Sequence, residues 1–313
     1  MSLHLAAEIG GPPSCDAERY TALARLAEEG RLDFVTLDDS FVRPGLDALS
    51  VLSRVAPATG RIGLVPTVST THTGAAGARA AVAALDWVSG GRAGWRVEVC
   101  TSAAEAALFG RSAVPADEAW RRAGEAAEAA RADWDRGRPG PPQGHPVVVA
   151  DGTGAAGRDT AARHADVVLL RAGTPEEAAA GRADVHRRAR AHGRDPAALR
   201  VLVSLVVDLG EAEASCEPGL GGWPRSAAGG AHFSGGPVEL ADLVARWHTG
   251  GAADGFHLVP IAPARDLERI VNGTVALLQH RGLFRTFHPG GTLREHLGLA
   301  RPAARYATAG GPA

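Results

Sequence analysis

The chain has 313 residues, 45% of them hydrophobic, which is enough to bury a large core. Its formal charge is −2 and all 33 basic residues are arginine, so it offers no basic footprint for nucleic acid. Three widely spaced cysteines make neither a disulfide framework nor a zinc site, and no apolar run reaches the ~18 residues of a membrane span. The first ten residues lack the basic start and apolar stretch of a secretory signal, so a soluble cytosolic protein is expected.

In chain order, 3–9 reads as a short strand, 10–13 as a Gly-Pro loop, and Asp16 as the cap of a helix running to 29. A strand over 32–37 follows, then a helix over 44–55 with Leu46, Leu49, Leu52 and Val55 on one side. An apolar, β-branched run at 62–68 is the third strand, and the helix over 75–88 stops at Ser89-Gly90-Gly91. Residues 94–100 form the fourth strand and the alanine-rich stretch 117–134 a helix. The segment RGRPGPPQGH at 136–145 is the clearest breaker. It reads as a loop rather than a linker, because the period continues beyond it. Strands at 146–150, 165–171, 199–209 and 255–259 alternate with helices at 155–164, 176–192, 238–248 and 267–281. Residues 210–236, rich in Gly, Ser and Pro, read as a long surface excursion, and the tail from 300 as disordered.

Eight strands alternating with eight helices predict parallel pairing and a single (β/α)8 barrel. An open doubly wound sheet is the alternative, but the first strand–helix turn has no G-x-G-x-x-G.

In such a barrel the chemistry sits at the carboxyl ends of the strands. Those ends carry Glu8, Asp38, Asp39, the run from Thr67 to His72, Cys100, Asp151 to Gly154, Arg171, Asp208 and His257. Asp39 suits a helix cap as well as a ligand contact. The Thr and Ser hydroxyls after 66 suit a turn, but with His72 they are more than a turn needs. Thr67 and Thr71 are therefore candidate ligand contacts and His72 a candidate acid–base group. Asp151, Gly152, Thr153 and Gly154 make a glycine-rich entry to a helix, either an ordinary loop or an anion cradle. Cys100 has no base near it in sequence and reads as a small buried residue. No histidine spacing suggests a metal.

Two stretches carry a resemblance. TVSTTHT with LDWVSGGRAGW at 67–95, and GAADGFHLVP with LLQHRGLFRTFHPGGTLREHLGL toward the C-terminus, resemble the bacterial-luciferase-like flavin monooxygenases. The nearest branch holds nitrilotriacetate, sulfone and alkanesulfonate monooxygenases. The resemblance implies a two-component enzyme: a separate flavin reductase supplies reduced FMN, and O2 oxygenates a small organic substrate. It places Asp39, Thr67, Thr71 and Cys100 at the flavin and Asp151, Gly152, Thr153 and Gly154 near its phosphate, with Gly154 where relatives carry serine. It also implies a homodimer supported by 283–285 and 293–299. Insertions found in relatives are short here, near 136–145 and 210–236. Two alternatives stay open on the same fold: an F420-dependent hydride-transfer oxidoreductase and a non-catalytic flavin-binding homologue.

Overall fold

The computed structural model describes residues 2–12, 14–39, 45–71, 75–137, 139–210, 224–227 and 230–302. His72 lies outside the described residues, as do residues 303–313 of the tail from 300 for which disorder is expected.

Eight parallel strands form a closed barrel. They are β1 (His4–Glu8), β2 (Phe34–Leu37), β3 (Gly63–Ser69), β4 (Gly94–Glu98), β5 (Val147–Asp151), β6 (Val167–Leu170), β7 (Arg200–Asp208) and, after a hairpin, β10 (Gly255–Pro260). Strands β1 to β7 pair in chain order, and β10 closes the ring between β7 and β1. The intervening helices are α1 (Ala17–Glu29), α2 (Ala48–Val55), α3 (Ala75–Ser89), α4 (Ala103–Leu108), α5 (Ala116–Arg136), α6 (Gly154–His164), α7 (Pro175–Ala191) and α8 (Pro237–Thr249). Side-chain oxygens begin several of them: Asp16 accepts from Glu18 N, Asp47 from Ser50 N and Thr174 from Glu177 N.

Of the stretch 210–236, expected to be a long surface excursion, residues 211–223, 228 and 229 lie outside the described residues; within it β9 (Gly230–Ser234) runs parallel to β7 from Leu205 to Asp208, beyond the point where β6 stops pairing. The short β8 (Arg225–Ala227) pairs antiparallel with it. After β10, α9 (Pro263–Arg269) passes through a π-helical stretch at Ile270–Val275 into α10 (Ala276–His280). Gly273 lies in that stretch, where a Cβ would come within 2.5 Å of Pro237 at the start of α8.

Period two separates the faces of each barrel strand. Outward residues such as Leu5, Val35, Leu64 and Val203 pack beneath the helices. Inward residues Ala6, Phe34, Val65, Val147, Val149, Val167, Leu169 and Leu202 form the lower interior. A short helix, α11 (Leu293–His296), brings Leu293, Leu297 and Leu299 into that same cluster and plugs the barrel base. Gly63 and Gly94 make room for it: a Cβ on Gly63 would come within 2.6 Å of the Leu293 side chain, and one on Gly94 within 3.5 Å. Phe284, Leu293 and Leu297 are thus buried within the chain. The expectation that 283–285 and 293–299 pack is met at these three residues, and a dimer is taken up under the proposed function.

Candidate functional site

Moving toward the carboxyl ends, the inward positions change from apolar to polar. The same phase that buries Ala6, Phe34, Val65, Val149 and Leu202 puts Glu8, Thr36, Thr67, Asp151 and Ser204 in the upper interior. On β4, Trp95 and Val97 pack outward, so Arg96 and Glu98 point inward. Arg96 is the register partner of Thr67.

Arg96 is the electrostatic centre. Burial pulls its pKa down, but Glu98, Glu8, Asp38 and Asp151 outweigh that and hold it above the ordinary value. Its guanidinium forms no hydrogen bond among the described residues, and its ion pair with Glu8 Oε2 is long, at 3.9 Å. Beside it, Thr67 Oγ1 and Glu98 Oε2 are buried with no partner among the described residues. Burial pushes the Glu98 carboxyl up to about 7, with Arg96 offsetting only part of the rise. Unsatisfied buried groups are costly and call for an explanation. Arg96 and Glu98 share the wall of a cleft of about 280 Å³ with Thr101, Trp120, Asp151, Thr153 and Arg171, among others, and Thr67 is the register partner of Arg96 on β3.

A second polar run crosses the interior. Thr36 Oγ1 donates to Glu8 Oε2 at 2.6 Å and lies 2.7 Å from His257 Nε2, whose Nδ1 is 3.1 Å from Ser204 Oγ. The amides of Gly10 and Asp38 both donate to Glu8 Oε1 at 2.9 Å. Burial, with Arg96 nearby, lowers the His257 pKa to about 3, so the imidazole is neutral near neutral pH.

The residues singled out from sequence fall into three groups. Asp151 and Thr153 line the cleft with Arg96, whose register partner on β3 is Thr67, with Asp151 Oδ2 held by Arg171 at 3.1 Å and Oδ1 accepting from Thr153 N at 2.6 Å. Thr71 and Cys100 meet each other. The Cys100 amide donates to Thr71 Oγ1 at 2.9 Å, and Thr70 Oγ1 donates to Glu98 O, which ties the exits of β3 and β4. The Cys100 thiol donates to Glu105, and burial with that bond raises its pKa to about 11, so it stays protonated. Asp39 Oδ2 accepts from Ala48 N at 3.2 Å, at the first residue of α2. Gly152 is pressed against Val168 and Leu170, whose side chains a Cβ would meet at 2.8 Å. Gly154 opens α6 with φ +72° and open space around it, and Thr153 makes no side-chain cap.

Sequence reasoning noted Glu8 and His257 at strand ends but gave them no role, and it passed over Thr36, Arg96, Glu98 and Ser204. The signal was present in GWRVEV: charges at alternate positions of an apolar strand must share one face. Two larger hollows lie elsewhere. One of about 580 Å³ sits at the barrel base beside His4, Arg200 and His296, and one of about 750 Å³ lies outside the barrel beside Pro237 and Asn272. The cleft at the strand exits is the candidate, because barrel chemistry sits there and the unpartnered groups of the interior wall face it. Among the described residues no His, Cys, Asp and Glu cluster could hold a metal ion, and no helix is long and apolar enough to cross a membrane.

Comparison with known proteins gives a consistent result. The family described as luciferase-like monooxygenase matches residues 2–255. Nitrilotriacetate monooxygenase component A of Aminobacter aminovorans is 28% identical, covering 92% of this chain and 91% of that protein. The alignment runs over 411 positions, well beyond the 313 residues here, so that relative carries insertions. Dibenzothiophene-sulfone monooxygenase of Rhodococcus erythropolis is 24% identical over 90% of each chain. Among solved structures, EDTA monooxygenase from Chelativorans sp. BNC1 shares the fold with a TM-score of 0.83 at 23% identity, covering 96% of this chain and 99% of that one.

Proposed function

Because this chain belongs to the luciferase-like monooxygenase family, we propose that it is the oxygenase of a two-component system that takes reduced FMN from a separate reductase and uses O2 to oxygenate a small organic substrate. The observation that carries this reading is the set of unsatisfied polar groups at the carboxyl mouth: Arg96 without an acceptor, and Thr67 Oγ1 and Glu98 Oε2 without partners, among the described residues. A flavin ring edge offers carbonyl oxygens and ring nitrogens to the Arg96 and Thr67 donors and a ring N–H to the Glu98 oxygen, and it would satisfy them.

The residues fit an FMN group in named parts. Thr67 and Arg96 offer donors to the acceptor atoms of the ring. Thr153 and Gly154 present the first turn of α6, whose amides and dipole favour a phosphate. Gly152 lets the loop lie close against β6, since any Cβ there would strike Val168 and Leu170. Thr71, through the Cys100 amide, holds the β3 and β4 exits together beside the site, and Asp39 ties the β2 exit to α2. His72, next in the chain after Thr71, is proposed as the acid–base or substrate contact. Once bound, reduced FMN supplies the electrons that activate O2. The protein orients the ring and substrate, holds protons on Glu98 and the groups around it, and excludes bulk water. A homodimer belongs to the same proposal, and light scattering of the purified protein reads its mass.

Spectral titration of the purified protein with FMN and with F420 tests the cofactor. Difference bands with FMN, and O2 uptake with reduced FMN, are expected. Bands with F420 alone would overturn the reading.

A further inference from the structure

Glu8, Thr36, His257 and Ser204 form an unbroken hydrogen-bonded file across the upper barrel, from β1 through β2 and β10 to β7. Glu8, Thr36 and His257 are 7%, 0% and 1% exposed. Ser204 is partly exposed, and its neighbours Val203 and Leu205 are the ones packed against the helices. Its exposure therefore opens to the barrel mouth. Each internal member of the file can both donate and accept a proton.

We propose that Ser204, His257, Thr36 and Glu8 are a proton relay, in which His257 moves its ring proton between Nδ1 and Nε2 while one proton is stored on or released from Glu8. With Glu8 ionised, Ser204 donates to Nδ1, Nε2–H donates to Thr36, and Thr36 donates to the carboxylate. A proton reaching Ser204 Oγ from the mouth displaces the Ser204 proton onto Nδ1. The Nε2 proton passes to Thr36 and the Thr36 proton to Glu8. One O–H bond forms on the carboxylate, one N–H bond forms at Nδ1 and one breaks at Nε2, and no electrons move. Every hydrogen bond in the file reverses direction, and the imidazole is neutral before and after.

The charged surroundings favour this exchange over imidazolium formation. His257 faces Arg96 of β4, which, after burial itself, opposes a second ring proton. Glu8 faces Arg96 and, from beyond β2, Asp38. Burial raises its pKa, and Asp38 adds to that, while Arg96 and the Thr36 hydrogen bond act against it. Glu98 and Asp151 face Arg96 from β4 and β5 and, with Glu8 and Asp38, keep it charged. Glu8 is thus a carboxyl that takes up a proton more readily than an exposed one, joined to a histidine that does not charge. Glu98 lines the cleft directly; the relay gives the mouth a second, internal proton store behind it. Its use in oxygenation rests on the flavin reading above, whereas the tautomer exchange does not.

The test is a pH titration of the full chain without flavin, labelled with 15N-histidine and followed by NMR. The His257 signal is identified by its loss in His257→Gln or, if that variant does not fold, by its shift in Thr36→Val. The expected result is that the ring carries its proton on Nε2 at high pH and on Nδ1 at low pH, without imidazolium at the midpoint. Glu8→Gln and Thr36→Val should each leave one tautomer throughout. Imidazolium formation in that transition, a single tautomer in the unaltered protein, or exchange that survives Thr36→Val would overturn the relay. Turnover with reduced FMN should fall at least several-fold in Thr36→Val with KM little changed; unchanged turnover would overturn its use in oxygenation while leaving the flavin assignment intact.

Discussion

Arg294 and Asp166, 128 residues apart in sequence, meet in a buried ion pair of 3.0 Å at the base of the barrel. Asp166 Oδ2 also accepts from Val148 N at 2.9 Å, and Arg294 Nε donates to His145 O at 2.7 Å. One carboxylate thus joins the start of β6, strand β5 and the C-terminal plug. Burial alone would raise the Asp166 pKa, but Arg294, Arg131 and Arg194 bring it below the ordinary 3.8. Its stabilising contribution is therefore present above that value and is lost as pH falls through the lower folded value. Asp166→Ala leaves Arg294 buried and unpaired, and should destabilise by about 3–5 kcal/mol. Urea unfolding near neutral pH measures this, with a loss under 1 kcal/mol counting against the latch.

Leu293 and Gly63 make a coupled pair in the same region. Leu293→Ala should cost about 2–5 kcal/mol by emptying the base of the barrel. Gly63→Ala should cost about 1–3 kcal/mol by overpacking, since its Cβ would come within 2.6 Å of Leu293. Shortening Leu293 removes that clash, although Phe34 and the Asp33 carbonyl still crowd the site at 2.8 and 2.9 Å. The double variant should therefore be more stable than the sum of the single losses by about 1 kcal/mol. Strict additivity in a double-mutant cycle would show that the plug does not touch β3.

The barrel was legible because each strand is buried on both faces and reads as a short apolar run, such as VVVA at 147–150 or VLVSLVV at 201–207. The same double burial hid the inner polar layer. Where both faces are apolar, the phase that separates inside from outside shows only where charges intrude, as at Arg96 and Glu98. The hairpin of β8 and β9 was missed because its strands are short and sit among Gly and Ser, and pairing with the end of β7 supplies what local propensity does not. Helix α4 escaped because only six residues follow its Ser102 cap. The plug was not legible, since nothing local shows that Leu293 and Leu297 enter an opening made by Gly63 and Gly94 on two neighbouring strands far away in sequence.

Gly154 has φ +72°, so serine there carries backbone strain even though the space is open. Gly154→Ser should lower stability by about 1–2 kcal/mol. A hydroxyl reaching the phosphate contributes about 0.5–1.5 kcal/mol, so FMN affinity should rise roughly 2- to 10-fold. Calorimetry with FMN and a thermal melt of the free protein separate the two effects. Unchanged affinity beside lowered stability would show that the phosphate does not lie at the start of α6.

Glu98 and His257 give the pH dependence of stability opposite signs. His257 is depressed to about 3 from the ordinary 6.5, so below 6.5 the unfolded chain takes up a proton that the folded one refuses, and stability falls with acid. Glu98 is raised from 4.5 to about 7, so the fold disfavours its charged form. Above pH 7 the folded and unfolded chains both carry that charge, and the fold bears the full cost. Between 7 and 4.5 the folded chain binds a proton that the unfolded chain does not, and stability rises as pH falls. Below 4.5 both are protonated and the cost is gone. Glu98→Gln removes the charge at every pH. At about pH 8 it should stabilise the protein by about 1–3 kcal/mol, the upper end being the full value of the shift before allowance for solvent at the cleft. At about pH 4 the gain should vanish. The difference between the two proteins isolates Glu98 from His257 and every other titrating group, and denaturant unfolding across that range measures it. A gain that is constant with pH would mean that the Glu98 pKa is the same in the folded and unfolded chain, and a loss at pH 8 would mean that Arg96 pairs with it strongly enough to reverse the effect of burial.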